Sequence, residues 1–206
     1  DRMSYVALVH STVTRGRVTK LLTQAADAAD GVILVLTHQN MPRIGTVPLI
    51  STTDLSAVGT SGLPVMQGPE IRYNGQVIAA VVAETQEQAD HAASLIECDY
   101  AEEPRKTRFV DAKAGARTPA SILIEKNHVS VGDAEAELRR SAHRVDNVYR
   151  TPPLNHNAIE LHGVTLVWEG DELLVHDATQ MVAGTAQALA KVFGLKKEQV
   201  RVLSPF

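Results

Sequence analysis

The chain has 206 residues, of which 44% are hydrophobic and 21% charged, and its formal net charge is −4. This composition is typical of a folded globular protein, and the length allows one large domain or two small ones. Basic residues are dispersed, with short runs such as Lys196-Lys197, which disfavours a nucleic-acid partner. Because Cys98 is the one cysteine, the chain alone supplies neither a disulfide nor a four-thiolate iron–sulfur cluster.

No segment of the sequence has the pattern of a membrane span or a signal peptide. The apolar runs, such as residues 31–37, are much shorter than the roughly twenty residues that a spanning helix needs. The first residues lack the basic, apolar and small-residue order of a signal peptide. Because Asp1 lies so close to a predicted strand, we expect the chain to begin inside a longer parent sequence.

The first hundred residues alternate between strand and helix patterns. Strands are predicted at residues 5–10, 16–21, 32–37, 77–82 and 96–100, and helices at 23–31 and 85–93. Thr23 is a plausible N-cap of the first helix, and Thr85 with Gln88 predicts a capping box on the second. The apolar run 32–37 suits a strand covered on both faces. The pattern favours one mixed α/β domain over residues 1–103.

Two loops are predicted within this first half. Residues 40–69 are rich in Pro, Gly, Ser and Thr, and a loop of this length is usually functional or ordered against a neighbour. Asn74-Gly75 gives a strong turn signal.

The second half begins with a connector, residues 104–128, in which strand periodicity disappears. After it we predict a short helix at 132–138, a strand at 143–150, a hairpin formed by 164–168 and 173–176, a helix at 179–193 and a strand at 200–203. Gly194 is the expected stop of the last helix.

Polar side chains recur at alternate positions in one segment, at His156, Glu160 and His162. If the segment is extended, these side chains share a face. A single strand cannot supply the converging ligands of a zinc site, and no second His or Cys cluster is present. A hydrogen-bonded polar row at a domain seam is therefore favoured over metal ligation.

Gln180 lies where a predicted strand gives way to a helix. Backbone N–H groups at a helix N-terminus can bind an anion or an oxo group, although an ordinary helix-start residue is the simpler interpretation. No G-x-S-x-G, P-loop or G-x-G-x-x-G motif is present, so a Ser/His/Asp hydrolase and a phosphate-binding nucleotide enzyme are disfavoured.

The order of segments resembles the molybdenum-binding subunit of the xanthine dehydrogenase and aldehyde oxidase family. The segments that resemble its opening α/β hammerhead domain are residues 9–12, 15–18, 31–36 and 71–85, with Tyr100 and Pro104 at its exit. Those that resemble the first part of its cofactor-binding domain are residues 132–133, 149–152, His156, Glu160, Thr179-Gln180 and 192–206. The expected fold is α+β (mixed α/β): a hammerhead domain (1–103), a connector (104–128) and the beginning of a molybdopterin-binding domain (129–206).

The Asn-His-Asn-Ala-Ile-Glu segment, residues 155–160, is most similar to bacterial aldehyde oxidoreductases that use molybdopterin cytosine dinucleotide. The resemblance implies oxidation of an aldehyde at molybdenum, with electrons leaving through 2Fe-2S clusters to FAD on partner subunits. The cofactor would do the difficult chemistry while the protein positions it. Similar complexes occur in the bacterial cytoplasm or periplasm, so the compartment stays open.

Carried over by position, Gln180 matches the family glutamine that hydrogen-bonds an oxo ligand of molybdenum. Phe206, His156 and Glu160 are weaker cofactor-binding candidates. The family's G-G-G-F-G loop would follow Phe206, and its general-base glutamate would lie further on. We therefore expect the N-terminal portion of the subunit, inactive alone and without a catalytic residue of its own. The alternative is an independent, non-catalytic assembly or interaction module with the hammerhead fold.

Overall fold

A computed structural model of the chain describes residues 3–45, 65–119, 121–122 and 125–205. Its first half contains six strands and two helices: β1 (Tyr5–His10), β2 (Gly16–Leu22), α1 (Gln24–Asp27), β3 (Val32–Thr37), β4 (Glu70–Ile71), β5 (Val77–Ala83), α2 (Gln86–Ser94) and β6 (Glu97–Glu102). The predicted strands are confirmed to within two residues at each end. The turn at Asn74-Gly75 is also confirmed, with φ of 88° at Gly75. Residues 46–64 of the predicted 40–69 loop lie outside the described residues.

Two antiparallel sheets organise this half, with strand orders β1-β5-β3 and β4-β2-β6. Helices α1 and α2 pack on one face of the first sheet around Ala26, Val35, Val81 and Ala92. On its other face Leu34 is 45% exposed, so the prediction that β3 is covered on both faces is wrong within the described residues. The reason is that both helices of this half lie on the same side of the sheet.

The two helix starts differ in their capping. Thr85 has an extended backbone, and its hydroxyl accepts from the Gln88 N–H at 3.3 Å while the Gln88 side chain accepts from the Thr85 N–H at 3.1 Å. This confirms the predicted capping box. Thr23 has helical backbone angles and makes no side-chain cap hydrogen bond, so its predicted capping role is wrong. Helix α1 is accordingly a single turn, Gln24–Asp27.

The second half contains β7 (Ser121–Ile122), β8 (Glu125–Lys126), β9 (Val164–Glu169), β10 (Glu172–Asp177) and β11 (Val200–Leu203), with helices α3 (Phe109–Ala112), α4 (Ala134–Arg140) and α5 (Val182–Phe193). Short 3-10 turns occur at Lys113–Gly115 and Lys197–Gln199. The predicted hairpin and last strand are confirmed. Helix α5 ends at Gly194 as predicted, with φ of 68° in the left-handed region that favours glycine.

Between α4 and β9 the chain is exposed at every residue and forms no helix or strand. The strand predicted at 143–150 is therefore wrong. Alternating polarity makes a strand only where a neighbouring edge accepts its hydrogen bonds, and no described strand pairs with this segment.

The core of the second half lies between α5 and a three-stranded sheet of order β11-β10-β9. Strand β9 is antiparallel to β10, whereas β11 runs parallel to it. The buried cluster comprises Leu173, Val175, Ala186, Ala190, Val200 and Val202. Alanines on α5 allow the helix to lie close to the sheet, which fixes the position of its N-terminus relative to β10 and β11.

A described backbone hydrogen bond joins distant parts of the two halves. The Gly45 N–H, in the loop after β3, donates to the Val192 carbonyl in the last turn of α5 at 3.2 Å. A Cβ at position 45 would lie 2.4 Å from the Lys191 carbonyl oxygen, so this approach requires glycine. Within the described ranges, no helix is long and apolar enough to cross a membrane.

Candidate functional site

The candidate site lies at the carboxyl ends of β10 and β11. The two strands are parallel and in register, with His176 beside Leu203. Residues that follow β10 therefore lie beside residues that follow β11. Ligands of α/β units commonly bind at this edge, where the N-terminus of the connecting helix also lies.

Three hydroxyl groups join the elements at this edge. The Thr179 hydroxyl accepts a hydrogen bond from the Met181 N–H at 3.1 Å and lies 3.0 Å from the Thr185 hydroxyl in the first turn of α5. The Thr179 N–H points to the Ser204 hydroxyl at 3.3 Å and to the Asp177 carbonyl at 3.1 Å. We call Thr179, Thr185 and Ser204 the hydroxyl cluster.

Gln180 lies between Thr179 and Met181, whose N–H group donates to the Thr179 hydroxyl. It follows β10 and precedes Val182, the first residue of α5, as predicted from its place between a strand and a helix. Its side chain is exposed, whereas Thr179 is partly buried. A carboxamide donates through nitrogen and accepts through oxygen, so it suits an oxo or phosphate oxygen rather than direct metal ligation.

The other candidates are not brought together with Gln180 by any described element. His156 and Glu160 lie in the exposed irregular segment, and Asn157 between them has φ of 43°. This left-handed residue interrupts the extended backbone that a shared polar face would need. Phe206 lies outside the described residues. Among those described, no group of three or more His, Cys, Asp and Glu side chains could hold a metal ion.

The thiol of Cys98 and the hydroxyl of Tyr100 have raised pKa values, and both residues lie on β6, which belongs to a different sheet from β10 and β11. Partial burial raises the pKa of the Cys98 thiol, opposed by a hydrogen bond with Tyr100 and reinforced by the charge of Asp99. Burial likewise raises the pKa of the Tyr100 hydroxyl, and the contact with Cys98 adds to the shift. Both shifts favour the protonated form, so neither group is activated as a nucleophile.

The parallel pairing of β10 with β11 and the hydroxyl cluster were not predicted from the sequence. A hairpin followed by a helix and a strand does indicate a crossover, since parallel neighbours need a connection of a dozen or more residues. Which strand β11 joins depends on burial of Val200 and Val202 against α5. The contact between Thr179 and Ser204 depends in turn on that strand order.

Two family models match the chain. Residues 1–104 match the model described as aldehyde oxidase and xanthine dehydrogenase, a/b hammerhead domain. Residues 116–206 match the model described as molybdopterin cofactor-binding domain.

Known relatives extend over nearly the whole chain. The aldehyde oxidoreductase molybdenum-binding subunit PaoC of Escherichia coli (strain K12) is 34% identical over 203 residues, which is 98% of this chain and 26% of that protein. The xanthine dehydrogenase molybdenum-binding subunit of Escherichia coli O157:H7 is 23% identical over 99% of this chain and 28% of its own length. The chain thus spans about a quarter of these relatives.

Solved structures share the fold. Quinoline 2-oxidoreductase from Pseudomonas putida 86 superposes with a TM-score of 0.76 at 22% identity, over 97% of this chain and 26% of that one. The aldehyde oxidoreductase from Desulfovibrio gigas gives a TM-score of 0.66 at 22% identity, over 96% of this chain and 22% of that one.

Proposed function

Because the chain belongs to the aldehyde oxidase and xanthine dehydrogenase family, we propose that it forms part of the molybdenum-cofactor site of an enzyme that oxidises aldehydes to carboxylic acids. The aldehyde assignment draws on the PaoC relative, whose name is that of an aldehyde oxidoreductase subunit. The observation that carries the site assignment is the parallel β10–α5–β11 unit, which presents Gln180 at its carboxyl edge.

The cofactor that this proposal requires is molybdopterin, in its cytosine dinucleotide form. When bound, it supplies the two-electron redox chemistry. Gln180 would hold it by donating a carboxamide N–H to an oxo oxygen, and the exposed side chain and its place before α5 fit that task. Phe206, His156 and Glu160 remain weaker contacts in this proposal. The general base would come from sequence beyond residue 206.

The three proposed regions have distinct tasks. Residues 1–103 form the hammerhead domain, residues 104–128 connect it to the next domain, and residues 129–206 begin the cofactor domain.

Large apolar side chains in the irregular segment between α4 and β9 are strongly exposed, including Leu154 at 91% and Ile159 at 100%. Contiguous exposed apolar surface usually marks an interface. We propose that the remainder of the molybdenum subunit covers this segment.

The same proposal assigns the electron acceptors to other chains. With one cysteine, this chain does not supply the ligands of a four-thiolate cluster. Electrons would pass to 2Fe-2S clusters on an iron–sulfur subunit and then to FAD on a further subunit. The PaoC relative is itself named a molybdenum-binding subunit.

The proposed role of Gln180 is tested in the complete enzyme that contains this chain. Removing one preorganised hydrogen-bond donor costs about 100-fold in kcat in well-studied sites. We expect a Gln180→Ala enzyme to lose aldehyde-dependent dye reduction to about that extent while its molybdenum content stays near that of the parent. Gln39→Ala, at an exposed glutamine of the first half, is the matched control. Equal kcat for the two variants would contradict the proposal.

A second experiment tests whether the 206-residue chain acts alone. We expect the purified chain to retain no stoichiometric molybdenum, to oxidise no aldehyde and to self-associate through its exposed apolar side chains. Metal analysis, a dye-linked assay and light scattering measure these properties. Stoichiometric molybdenum together with aldehyde turnover by this chain would refute the proposed dependence on the rest of the subunit.

A further inference from the structure

We propose that Thr179 is a positioning residue for Gln180 and that it acts through Thr185 and Ser204. This inference rests on the proposed contact of Gln180 with the cofactor. It adds how the backbone that carries this exposed side chain is held.

The backbone on both sides of Gln180 is held by Thr179. On the N-terminal side, the Thr179 N–H lies 3.1 Å from the Asp177 carbonyl and 3.3 Å from the Ser204 hydroxyl. On the C-terminal side, the Thr179 hydroxyl accepts from the Met181 N–H at 3.1 Å. Thr179 is therefore anchored immediately before Gln180, and its hydroxyl holds the peptide unit that follows Gln180.

The Thr179 hydroxyl also forms the turn that leads into α5. By accepting from the Met181 N–H, it makes a side-chain turn that ends at Met181, the N-cap of α5. The sequence pattern predicts a helix from Thr179, yet α5 begins at Val182. Each residue added to a helix turns the chain by about 100°, so extension of α5 through Gln180 would redirect its side chain.

The partners of Thr179 come from two other parts of the fold. Its hydroxyl already accepts from the Met181 N–H, so its own hydrogen is free to be donated to the Thr185 hydroxyl at 3.0 Å. Ser204 follows β11 and contacts the Thr179 N–H. The position of Gln180 is thus tied to α5 and to the end of β11, and not to the local sequence alone.

The test uses the complete molybdenum-loaded enzyme and four variants. Thr179→Val removes the hydroxyl and keeps the shape, Thr179→Ser restores the hydroxyl, and Gln180→Ala removes the positioned group. Thr165→Val, at an exposed threonine of β9, is the matched control. The measurements are kcat, molybdenum content, the electron paramagnetic resonance signal of Mo(V), and hydrogen exchange of the peptide that contains Met181.

We expect Thr179→Val to lower kcat about tenfold or more, since small displacements of positioned groups cost that much. Molybdenum content should be unchanged, the Mo(V) signal should shift toward that of Gln180→Ala, and the Met181 amide should exchange faster. Thr179→Ser should restore kcat, the Mo(V) signal and the exchange rate.

Two results overturn the inference. If Gln180→Ala is impaired while Thr179→Val matches Thr165→Val in kcat and Mo(V) signal, Thr179 does not position Gln180 and the proposed function stands. If Gln180→Ala matches the parent, the proposed role of Gln180 fails and the positioning role fails with it. Should Thr179→Val not assemble, Thr185→Val removes one contact of the cluster and is expected to shift the Mo(V) signal in the same direction; an unchanged signal refutes the proposal.

Discussion

Leu173 is the side chain whose truncation should most weaken the second half of the chain. It is 2% exposed and belongs to the cluster between α5 and the β11-β10-β9 sheet. Leu173→Ala removes three carbon atoms, worth about 2.4 kcal/mol at roughly 0.8 kcal/mol each, and the cavity left behind adds to this cost. We expect the free energy of unfolding of this half to fall by about 3 kcal/mol.

The chain has a single tryptophan, so its fluorescence reports on unfolding of one part of the structure. Trp168 lies directly opposite Leu173 in the β9–β10 register, so its fluorescence reports on the sheet that contains the substitution. With a urea dependence of about 1.5 kcal/mol per molar, a loss of about 3 kcal/mol lowers the unfolding midpoint by about 2 M. Urea titration of the 206-residue chain, followed by tryptophan emission, measures this shift.

Leu161→Ala is the matched control, because Leu161 is 88% exposed and the chemical change is the same. Its expected cost is within about 0.5 kcal/mol of zero. Equal midpoints for the two variants would refute the burial of Leu173 between α5 and the sheet.

Three further predictions concern other parts of the chain. Thr85→Ala removes the hydroxyl that accepts from the Gln88 N–H and should cost about 1 kcal/mol in thermal or urea unfolding. Gly45→Ala places a methyl group 2.4 Å from the Lys191 carbonyl oxygen and should weaken the contact between the halves, measured as faster proteolysis of the chain between them. Because burial raises the pKa of Cys98, its alkylation rate should rise at higher pH in the folded chain than in the unfolded chain.

The first two of these predictions have matched controls. Thr85→Ser keeps the hydroxyl and should retain stability; a loss equal to that of Thr85→Ala would show that the cap contributes nothing. Gly115→Ala, where an added Cβ meets no atom within 4 Å, should leave proteolysis unchanged, and equal effects at Gly45 and Gly115 would contradict the close approach.

The Cys98 prediction also has a defined sign for stability. The folded pKa lies above the unfolded one, so any contribution of this thiol is present below the unfolded pKa and is lost as pH rises through the folded pKa. Identical alkylation profiles in buffer and in concentrated urea would refute the raised pKa.

Local features were predicted correctly where the responsible interactions are themselves local. The Thr85 capping box joins residues three positions apart, and the left-handed conformation at Gly194 is a property of one residue. The helix predicted from Thr179 begins three residues later, at Val182, with Met181 as its N-cap, and the side-chain turn from Thr179 to the Met181 N–H lies just before it.

The strand predicted at 143–150 was wrong because a strand depends on interactions that are not local. Its alternating pattern is a local property, but a strand exists only when a second strand accepts its hydrogen bonds. The same limit applies to the polar row around His156 and Glu160, where the left-handed Asn157 interrupts the extended backbone.

The sequence by itself determined the family, most of the longer strands and helices, and the place of Gln180 between a strand and a helix. These follow from residue types at fixed spacings along the chain. Only the tertiary structure decided that β11 runs parallel to β10 and that Thr185 and Ser204 both contact Thr179, the residue before Gln180. Residues 179 and 204 become neighbours because Leu173, Val175, Val200 and Val202 are buried under one helix, and burial over such separations leaves no local pattern.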